Sequence, residues 1–145
     1  MKLTKIAIGC DHAGFILKEH IKKHLKKNNV DVNDFGAFSE DSTDYAEYSH
    51  MVANSVNEKT TTAGILICGS GNGINMTANK HNGIRAALCW NAEIAKLARQ
   101  HNDANILSLP ARFISEESAI EIVKVFLEEK FEGGRHQRRV FKIDK

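Results

Sequence analysis

The sequence predicts an α/β fold, a doubly wound three-layer sandwich built around a five-stranded parallel sheet. Short apolar runs alternate with amphipathic stretches along the whole chain of 145 residues. The runs are brief and mostly rich in Ile, Val, Leu or Ala, which is typical of strands buried on both faces. Strand-helix alternation of this kind indicates a parallel sheet covered by helices, a Rossmann-like arrangement. We expect the strand order 2-1-3-4-5, a common one among doubly wound sheets.

Five apolar runs are the predicted strands: Lys5–Gly9, Val30–Asp34, Gly64–Cys68, Arg85–Cys89 and Ala104–Leu109. The first predicted helix repeats Leu17, Ile21 and Leu25 at a spacing of four, which places them on one face. The last helix has an apolar stripe between residues 119 and 127, and Ser115 is its predicted N-cap. These elements fill one domain of ordinary size, residues 1–145.

Residues 130–145 have the pattern of neither a strand nor a core helix. Gly133 and Gly134 should end the last helix and release a basic arm. Such an arm often crosses to a second subunit. We therefore expect a homodimer or tetramer.

Composition excludes several classes of function. The 20 basic and 18 acidic side chains nearly balance, whereas a general nucleic-acid or membrane binder needs a strong basic excess. No segment approaches the ~20 apolar residues that span a bilayer. Three cysteines without a C-x-x-C pair argue against a disulfide framework or zinc ribbon and favour a reducing compartment. We expect a cytoplasmic protein.

The predicted topology places a ligand crevice at the carboxyl ends of the first and third strands. The third strand is followed by Cys68-Gly69-Ser70-Gly71-Asn72-Gly73. Glycines at a spacing of two let successive N–H groups point toward one centre, and a helix starting there completes an anion cradle. Neither the dinucleotide motif nor the Walker motif fits this segment. The alternative interpretation is a plain tight turn.

Cys68 is the candidate base or nucleophile. A thiol beside clustered amides at a helix N-terminus should have its pKa lowered from the usual ~8.5. A thiolate there could accept a proton beside a carbonyl, and the cradle would stabilise the resulting oxyanion. The alternative is a buried structural cysteine, which is how we interpret Cys89 and Cys10.

Other polar residues suit an anionic, hydroxylated ligand. Asp11 and His12 follow the first strand at the crevice, although a capping Asp and a surface His would fit as well. The segment 135–139 is rich in arginine, which binds phosphate through two parallel N–H bonds. A solvated basic tail is the alternative there. Arg112 could add a phosphate contact or be a surface charge. Spacing alone assigns no role to His101.

No metal site is expected. His20 and His24 stand at a ligand spacing of i, i+4, but no third ligand follows them.

Seven segments resemble type B ribose-5-phosphate isomerases, within the wider family that includes the galactose-6-phosphate isomerase subunits. They are Gly9-Cys10-Asp11-His12-Ala13-Gly14-Phe15, Thr43-Asp44-Tyr45, Cys68-Gly69-Ser70-Gly71-Asn72-Gly73-Ile74, Asn79-Lys80, Gly83-Ile84-Arg85-Ala86, Arg99-Gln100-His101-Asn102-Asp103 and Gly133-Gly134-Arg135-His136. The resemblance runs nearly the whole chain, in order. Since Ile74 is apolar where a second branch of the family has a catalytic Glu, the chain is similar to the cysteine branch.

The resemblance implies a cofactor-free aldose-ketose isomerase acting on ribose 5-phosphate and ribulose 5-phosphate. Cys68 would move the proton between C1 and C2, and His101 would open the furanose ring. The enediolate oxygens would be held by Gly69, Ser70, Gly71, Asn72 and Gly73, including the Ser70 hydroxyl. The sugar hydroxyls would be bound by Asp11, Tyr45 and Asn102. The phosphate would be bound by His12, Arg112, Arg135 and Arg139, some of them across a subunit interface.

Two residues of this sequence depart from the family's usual pattern. Ala46 stands where the family usually has a proline, and Pro110 where a glycine is commoner. The first affects the expected start of the second helix, and the second affects the loop that presents Arg112.

The nearest rival activity is isomerisation of galactose 6-phosphate or allose 6-phosphate. The rival from another class is a non-catalytic module that binds a phosphometabolite.

Overall fold

A five-stranded parallel sheet lies at the centre of the computed structural model, which describes residues 5–144. Its strands are β1 (Ile6–Cys10), β2 (Val32–Asp34), β3 (Ala63–Cys68), β4 (Ala86–Leu88) and β5 (Ile106–Pro110). The α-helices are α1 (Phe15–Lys27), α2 (Tyr45–Asn57), α3 (Asn72–Ala78), α4 (Ala92–Asn102), α5 (Glu116–Glu128) and α6 (Arg135–Val140). All strand pairings between these elements are parallel, so the predicted α/β class is confirmed.

The strand order is β2-β1-β3-β5-β4, so the predicted order 2-1-3-4-5 is wrong for the last two strands. Strand β5 pairs with β3, and β4 pairs with the other side of β5. The reason lies in burial: β5 has five fully buried residues, whereas the three residues of β4 are half-buried. The longer and more apolar strand therefore takes the interior position. The switch point between β1 and β3 is unchanged.

Apolar side chains pack on both faces of the sheet. One cluster joins α1, α4 and α5 to the sheet through residues such as Ile21 and Phe126, and the other lies under α2 and α3 around Val52 and Ile74. The helix patterns are confirmed, since Leu17, Ile21 and Leu25 are all buried. Ser115 caps α5 as predicted, because its Oγ accepts a hydrogen bond from the Ser118 N–H at 3.1 Å. None of the helices described between residues 5 and 144 has the length and apolar character of a membrane-spanning segment.

The C-terminal segment differs from the helix-free arm that the sequence predicts. Gly133 and Gly134 adopt positive φ angles of 69° and 55° and turn the chain, but a new helix, α6, starts immediately afterwards. It lies against α4, and His136 is buried. The predicted arm runs to residue 145, which lies outside the described residues.

Candidate active site

A cavity of about 450 Å³ lies at the carboxyl ends of β1 and β3, at the switch point of the sheet. Its volume is within the range of small-molecule sites. The lining residues are Asp11, His12, Ala13, Tyr45, Cys68, Gly69, Ser70, Gly73, Arg112 and Phe113. Sequence reasoning singled out all of them except Ala13 and Phe113.

Cys68 is the last residue of β3 and is only 4 % exposed. One side of it packs in the apolar cluster under α2 and α3, and the other side lines the cavity. Burial raises the pKa of the Cys68 thiol, the N–H groups of Ile74, Gly71 and Ser70 lower it by hydrogen bonding to the sulfur, and the charge of Asp11 raises it. The net shift is upward, so the lowered pKa expected from the sequence is wrong.

Two positions of the glycine turn require glycine, each for a different reason. Gly71 has a φ of +78°, a left-handed conformation that glycine adopts readily. Gly73 lies under the ring of Tyr45, and a Cβ at this position would overlap that ring. Within the turn, the Asn72 N–H donates to Ser70 Oγ at 3.3 Å. The turn therefore brings the Tyr45 ring directly against the start of α3.

Asp11 and His12 form the wall of the cavity on the β1 side. Asp11 Oδ1 accepts hydrogen bonds from the N–H groups of Ala13 at 3.0 Å and Gly14 at 3.3 Å. The capping role is thus present, and it fixes the carboxylate at the cavity. His12 Nδ1 lies 3.2 Å from both the backbone N and O of Thr43, which anchors the ring to the loop before α2. Its Nε2 is the nitrogen that can face a ligand.

Arg112 closes the cavity on the β5 side. Its backbone N–H donates to Gly69 O at 3.0 Å, and its guanidinium crosses over Gly69. The loop presents Arg112 at the glycine turn even though Pro110 stands at the end of β5. Phe113, which sequence reasoning missed, is 74 % exposed at the cavity. Its signal in the sequence is an aromatic residue directly after a candidate phosphate ligand.

Six predicted residues do not line this cavity. Gly71 and Asn72 belong to the glycine turn beside it, and the other four are His101, Asn102, Arg135 and Arg139. His101 and Asn102 are the last residues of α4. The chain then reaches Asn105, whose O accepts a hydrogen bond from the Gly64 N–H at 3.0 Å, beside the start of β3. Since a strand of five or six residues is about 17–20 Å long, Cys68 lies at the far end of the sheet from them.

The distant group is itself gathered in one place. The ring of His101 stacks on that of His136, with centroids 4.3 Å apart. Arg135 and Arg139 are exposed on α6, which packs on α4. Asn102 lines a separate cavity of about 500 Å³. One chain therefore has two polar regions, one at each end of the strands.

Known proteins of similar sequence and structure match almost the whole chain. The family model described as Ribose/Galactose Isomerase matches residues 6–143. The chain is 49 % identical to ribose-5-phosphate isomerase B of Escherichia coli K12, over 95 % of this chain and 93 % of that protein. It is 46 % identical to a probable ribose-5-phosphate isomerase B of Mycoplasma pneumoniae, over 95 % and 91 % of the two chains.

Two solved structures superpose closely on this fold. A ribose 5-phosphate isomerase from Thermotoga maritima has a TM-score of 0.96 and 49 % identity, covering 99 % of both chains. Ribose-5-phosphate isomerase B from Mycoplasma genitalium, solved with bound ribulose-5-phosphate, has a TM-score of 0.92 and 45 % identity over 96 % of this chain and 93 % of that one. On the strength of these matches, the chain belongs to the ribose/galactose isomerase family.

Proposed function

We propose that this chain is an aldose-ketose isomerase that interconverts ribose 5-phosphate and ribulose 5-phosphate through an enediolate, using Cys68 as the base. The observation that carries the proposal is the position of the Cys68 sulfur, which meets three backbone N–H groups on the wall of a polar cavity. The bound ribulose-5-phosphate of the Mycoplasma genitalium relative supports a pentose phosphate as the substrate.

The chemistry requires one base that serves two neighbouring carbons. In the open-chain aldose, the hydrogen on C2 is acidic because C1 is a carbonyl. The Cys68 thiolate takes this proton, and the C–H electrons form the C1=C2 bond of an enediolate with the negative charge on O1. The thiol then returns the proton to C1 while the O2 proton moves to O1, which leaves the carbonyl on C2. The thiolate is restored at the end, and the sugar neither gains nor loses a proton overall.

The same peptide N–H groups serve the thiolate and then the enediolate. In the free enzyme, the N–H groups of Ser70, Gly71 and Ile74 point at the sulfur. When Cys68 takes the proton, the negative charge moves to sugar oxygens a few ångströms away, within the field of the same turn and the start of α3. The Ser70 hydroxyl is on the cavity side of that turn and adds a donor.

The remaining lining residues suit the rest of a sugar phosphate. Arg112 and His12 are the cationic and donor groups for the phosphate. Asp11 and Tyr45 bind sugar hydroxyls, which a carboxylate and a phenol pair with well. A ribose phosphate thus lies with its reacting carbons at Cys68 and its phosphate toward Arg112.

A second copy of the chain completes each site. His101, Asn102, Arg135 and Arg139 have the chemistry of a ring-opening acid, a hydroxyl ligand and two phosphate ligands, but they lie at the opposite end of their own sheet. Exposed aromatic side chains stand near both regions, with Phe113 at the cavity and Phe141 after α6 each 74 % exposed. Such side chains are common at interfaces. The proposed assembly is a cytoplasmic homodimer, or a tetramer built from two such dimers.

Initial rates with ribose 5-phosphate, allose 6-phosphate and galactose 6-phosphate test the substrate. We expect a kcat/KM for ribose 5-phosphate at least tenfold above that for either hexose. A clear preference for a hexose phosphate would overturn the substrate assignment. Binding of all three without turnover would favour the non-catalytic phosphometabolite module.

Replacement of the base tests the mechanism. Cys68→Ala should lower kcat by about 10³-fold, within the range for losing a general base, while the affinity for ribulose 5-phosphate in calorimetry changes little. Cys89→Ala is the matched control because it removes a buried thiol from the other apolar cluster and should keep turnover. Full turnover of Cys68→Ala would assign the proton transfer to another group.

A further inference from the structure

Three potential metal ligands converge where α4 ends and the C-terminal segment folds back on it. The ligand atoms of His101, Glu132 and His136 all lie within 4.8 Å of one another. His136 Nε2 and Glu132 Oε1 are 3.6 Å apart. Within residues 5–144, this is the one group of three or more His, Cys, Asp or Glu side chains with such spacing.

The group is held together by contacts of the surrounding backbone. The Glu132 N–H donates to Gln100 O at 3.1 Å, which ties the loop to the residue before His101. Gln100 Nε2 also donates to Glu129 Oε2 at 2.9 Å. The His136 N–H donates to Gly133 O at 3.0 Å at the start of α6. The three side chains therefore come from a helix end, a tethered loop and a second helix.

The donor set suits Zn²⁺ or a similar transition-metal ion. Two imidazole nitrogens and one carboxylate oxygen are a common zinc set, and three protein ligands leave a fourth position for water. Metal–ligand bonds of about 2.0–2.1 Å place tetrahedral ligand atoms roughly 3.4 Å apart. The ligand atoms therefore need to close by about an ångström. The stacked rings of His101 and His136 must also tilt so that their nitrogens point at one ion, and the Glu132 side chain is 51 % exposed and can move.

We propose that His101, Glu132 and His136 form a binding site for Zn²⁺, and that the bound ion inhibits the enzyme by occupying a ring nitrogen of His101. With one ring nitrogen bound to the metal, the other nitrogen carries the remaining proton and has no free lone pair. The ring could then not accept a proton, so ring opening would stop. The proposal of a binding site rests only on the spacing of the three side chains. The inhibition rests on the proposed role of His101 in the isomerase.

Two other places in the chain could take the same ion. His50 Nδ1 and His81 Nε2 are 2.6 Å apart on the surface, with α2 contributing His50. Cys68 lies in the cavity beside His12, and zinc on its sulfur would also inhibit. Variants that separate the three places decide between them.

Competition with a chromophoric chelator measures binding of Zn²⁺ alone to the assembled enzyme. We expect one tight ion per chain, and an affinity at least tenfold weaker in both Glu132→Gln and His136→Gln. Glu128→Gln, on the exposed end of α5, and His81→Gln are the matched controls and should bind as the unmodified chain does. Unchanged affinity in Glu132→Gln, or loss of the tight ion in His81→Gln, would overturn the site.

Turnover in the presence of Zn²⁺ tests the inhibition. The unmodified enzyme should lose activity as zinc is added and regain it with EDTA. Glu132→Gln should keep its metal-free turnover and need at least tenfold more zinc for half inhibition. Equal inhibition of both proteins would place the inhibitory ion elsewhere, at Cys68 for example, and overturn this part of the proposal. Metal-free His101→Ala separates the two proposals: if it keeps full turnover, the assigned role of His101 is wrong, whatever the chelator titration shows.

Discussion

At the residue scale, the reactivity of Cys68 is a balance between burial and hydrogen bonding. The sequence shows the converging N–H groups, which favour the thiolate. It does not show that β3 is so deeply enclosed that Cys68 is only 4 % exposed, and burial disfavours the charged form more strongly. The thiol is therefore mostly protonated in the free enzyme, and the thiolate that acts as the base is the minor form. The pKa of a side chain depends on the solvent exposure of its titrating atom. This exposure is determined by the packing of the whole fold and not by the local motif.

The raised pKa of Cys68 predicts how the thiol reacts as pH changes. Because the thiolate is the reactive form and the pKa lies above its ordinary value of 9.0, the rate of alkylation by iodoacetamide should rise about tenfold per pH unit from pH 7 to 9. Mass spectrometry assigns the site, since burial raises the pKa of Cys10 and Cys89 to about 12. A plateau below pH 9 would contradict the raised pKa.

Gly73 positions Tyr45 by leaving room for its ring. Gly73→Ala should push the ring out of the cavity and lower kcat/KM for ribose 5-phosphate by about 10- to 100-fold. Stability should change by less than about 1 kcal/mol, because alanine favours the helix and the exposed ring can swing away. In a Tyr45→Ala background, the added Gly73→Ala change should have no further kinetic effect. An equal loss in both backgrounds would contradict this role.

At the scale of elements, a buried ion pair attaches α1 to the sheet beside the site. Lys18 is fully buried, and its Nζ lies 2.8 and 2.7 Å from the two carboxylate oxygens of Asp34 at the end of β2. Asp34 Oδ1 also accepts the Gly36 N–H at 2.8 Å. The Cys10 N–H in turn donates to Gly36 O at 2.6 Å. The pair thus fixes the segment that runs along the end of β1, next to Asp11.

Asp34→Asn should destabilise the fold by about 3 kcal/mol at neutral pH, because it leaves the buried Lys18 with only the more distant and more exposed carboxylate of Glu19, at 3.3 Å. Burial acts to raise the pKa of Asp34, but hydrogen bonds from Lys18, Lys22 and Gly36 outweigh it and lower the pKa below its ordinary 3.8. The stabilisation is therefore present above pH 3.8 and is lost as pH falls through the lowered pKa.

Urea unfolding at a series of pH values from 7 to 2 measures this effect. The difference between the unmodified chain and Asp34→Asn should narrow only at the acidic end of the series. Asp31→Asn, at an exposed carboxylate nearby, is the control and should leave stability within about 0.5 kcal/mol. A difference that stays constant down to pH 2 would contradict the coupling to Asp34 ionisation.

At the scale of the whole molecule, the sequence predicts the class of fold and the position of the crevice, but not the full topology. Alternating apolar runs are enough for a parallel sheet, and the residues after β1 and β3 then meet at its edge. The positions of β4 and β5 in the sheet depend on which of the two strands is buried on both faces. In the sequence, the only sign of this is that Ile106-Leu107-Ser108-Leu109 is longer and has larger apolar side chains than Ala86-Ala87-Leu88. The helix α6 was missed because its inward contact comes largely from His136, a polar residue.

The distribution of site residues also belongs to this scale. Parallel strands separate the end of α4 from the end of β3 by the length of the sheet, so no rearrangement of side chains within one chain brings His101 to Cys68. Sequence patterns give the residue types of both groups. They do not give the distance between them, which is why the proposal of a site shared between two chains rests on the fold.

Complementation between two inactive variants tests the central claim most directly, namely that Cys68 of one chain and His101 of another act on the same sugar. Cys68→Ala and His101→Ala should each be nearly inactive alone. After the two are mixed one to one and their subunits exchanged, half of the dimers contain one chain of each kind, and each of these has one intact site of two. We expect recovery to about a quarter of the unmodified activity. An exchanged mixture, shown by mass spectrometry to contain mixed dimers, that stays as inactive as its parents would contradict it.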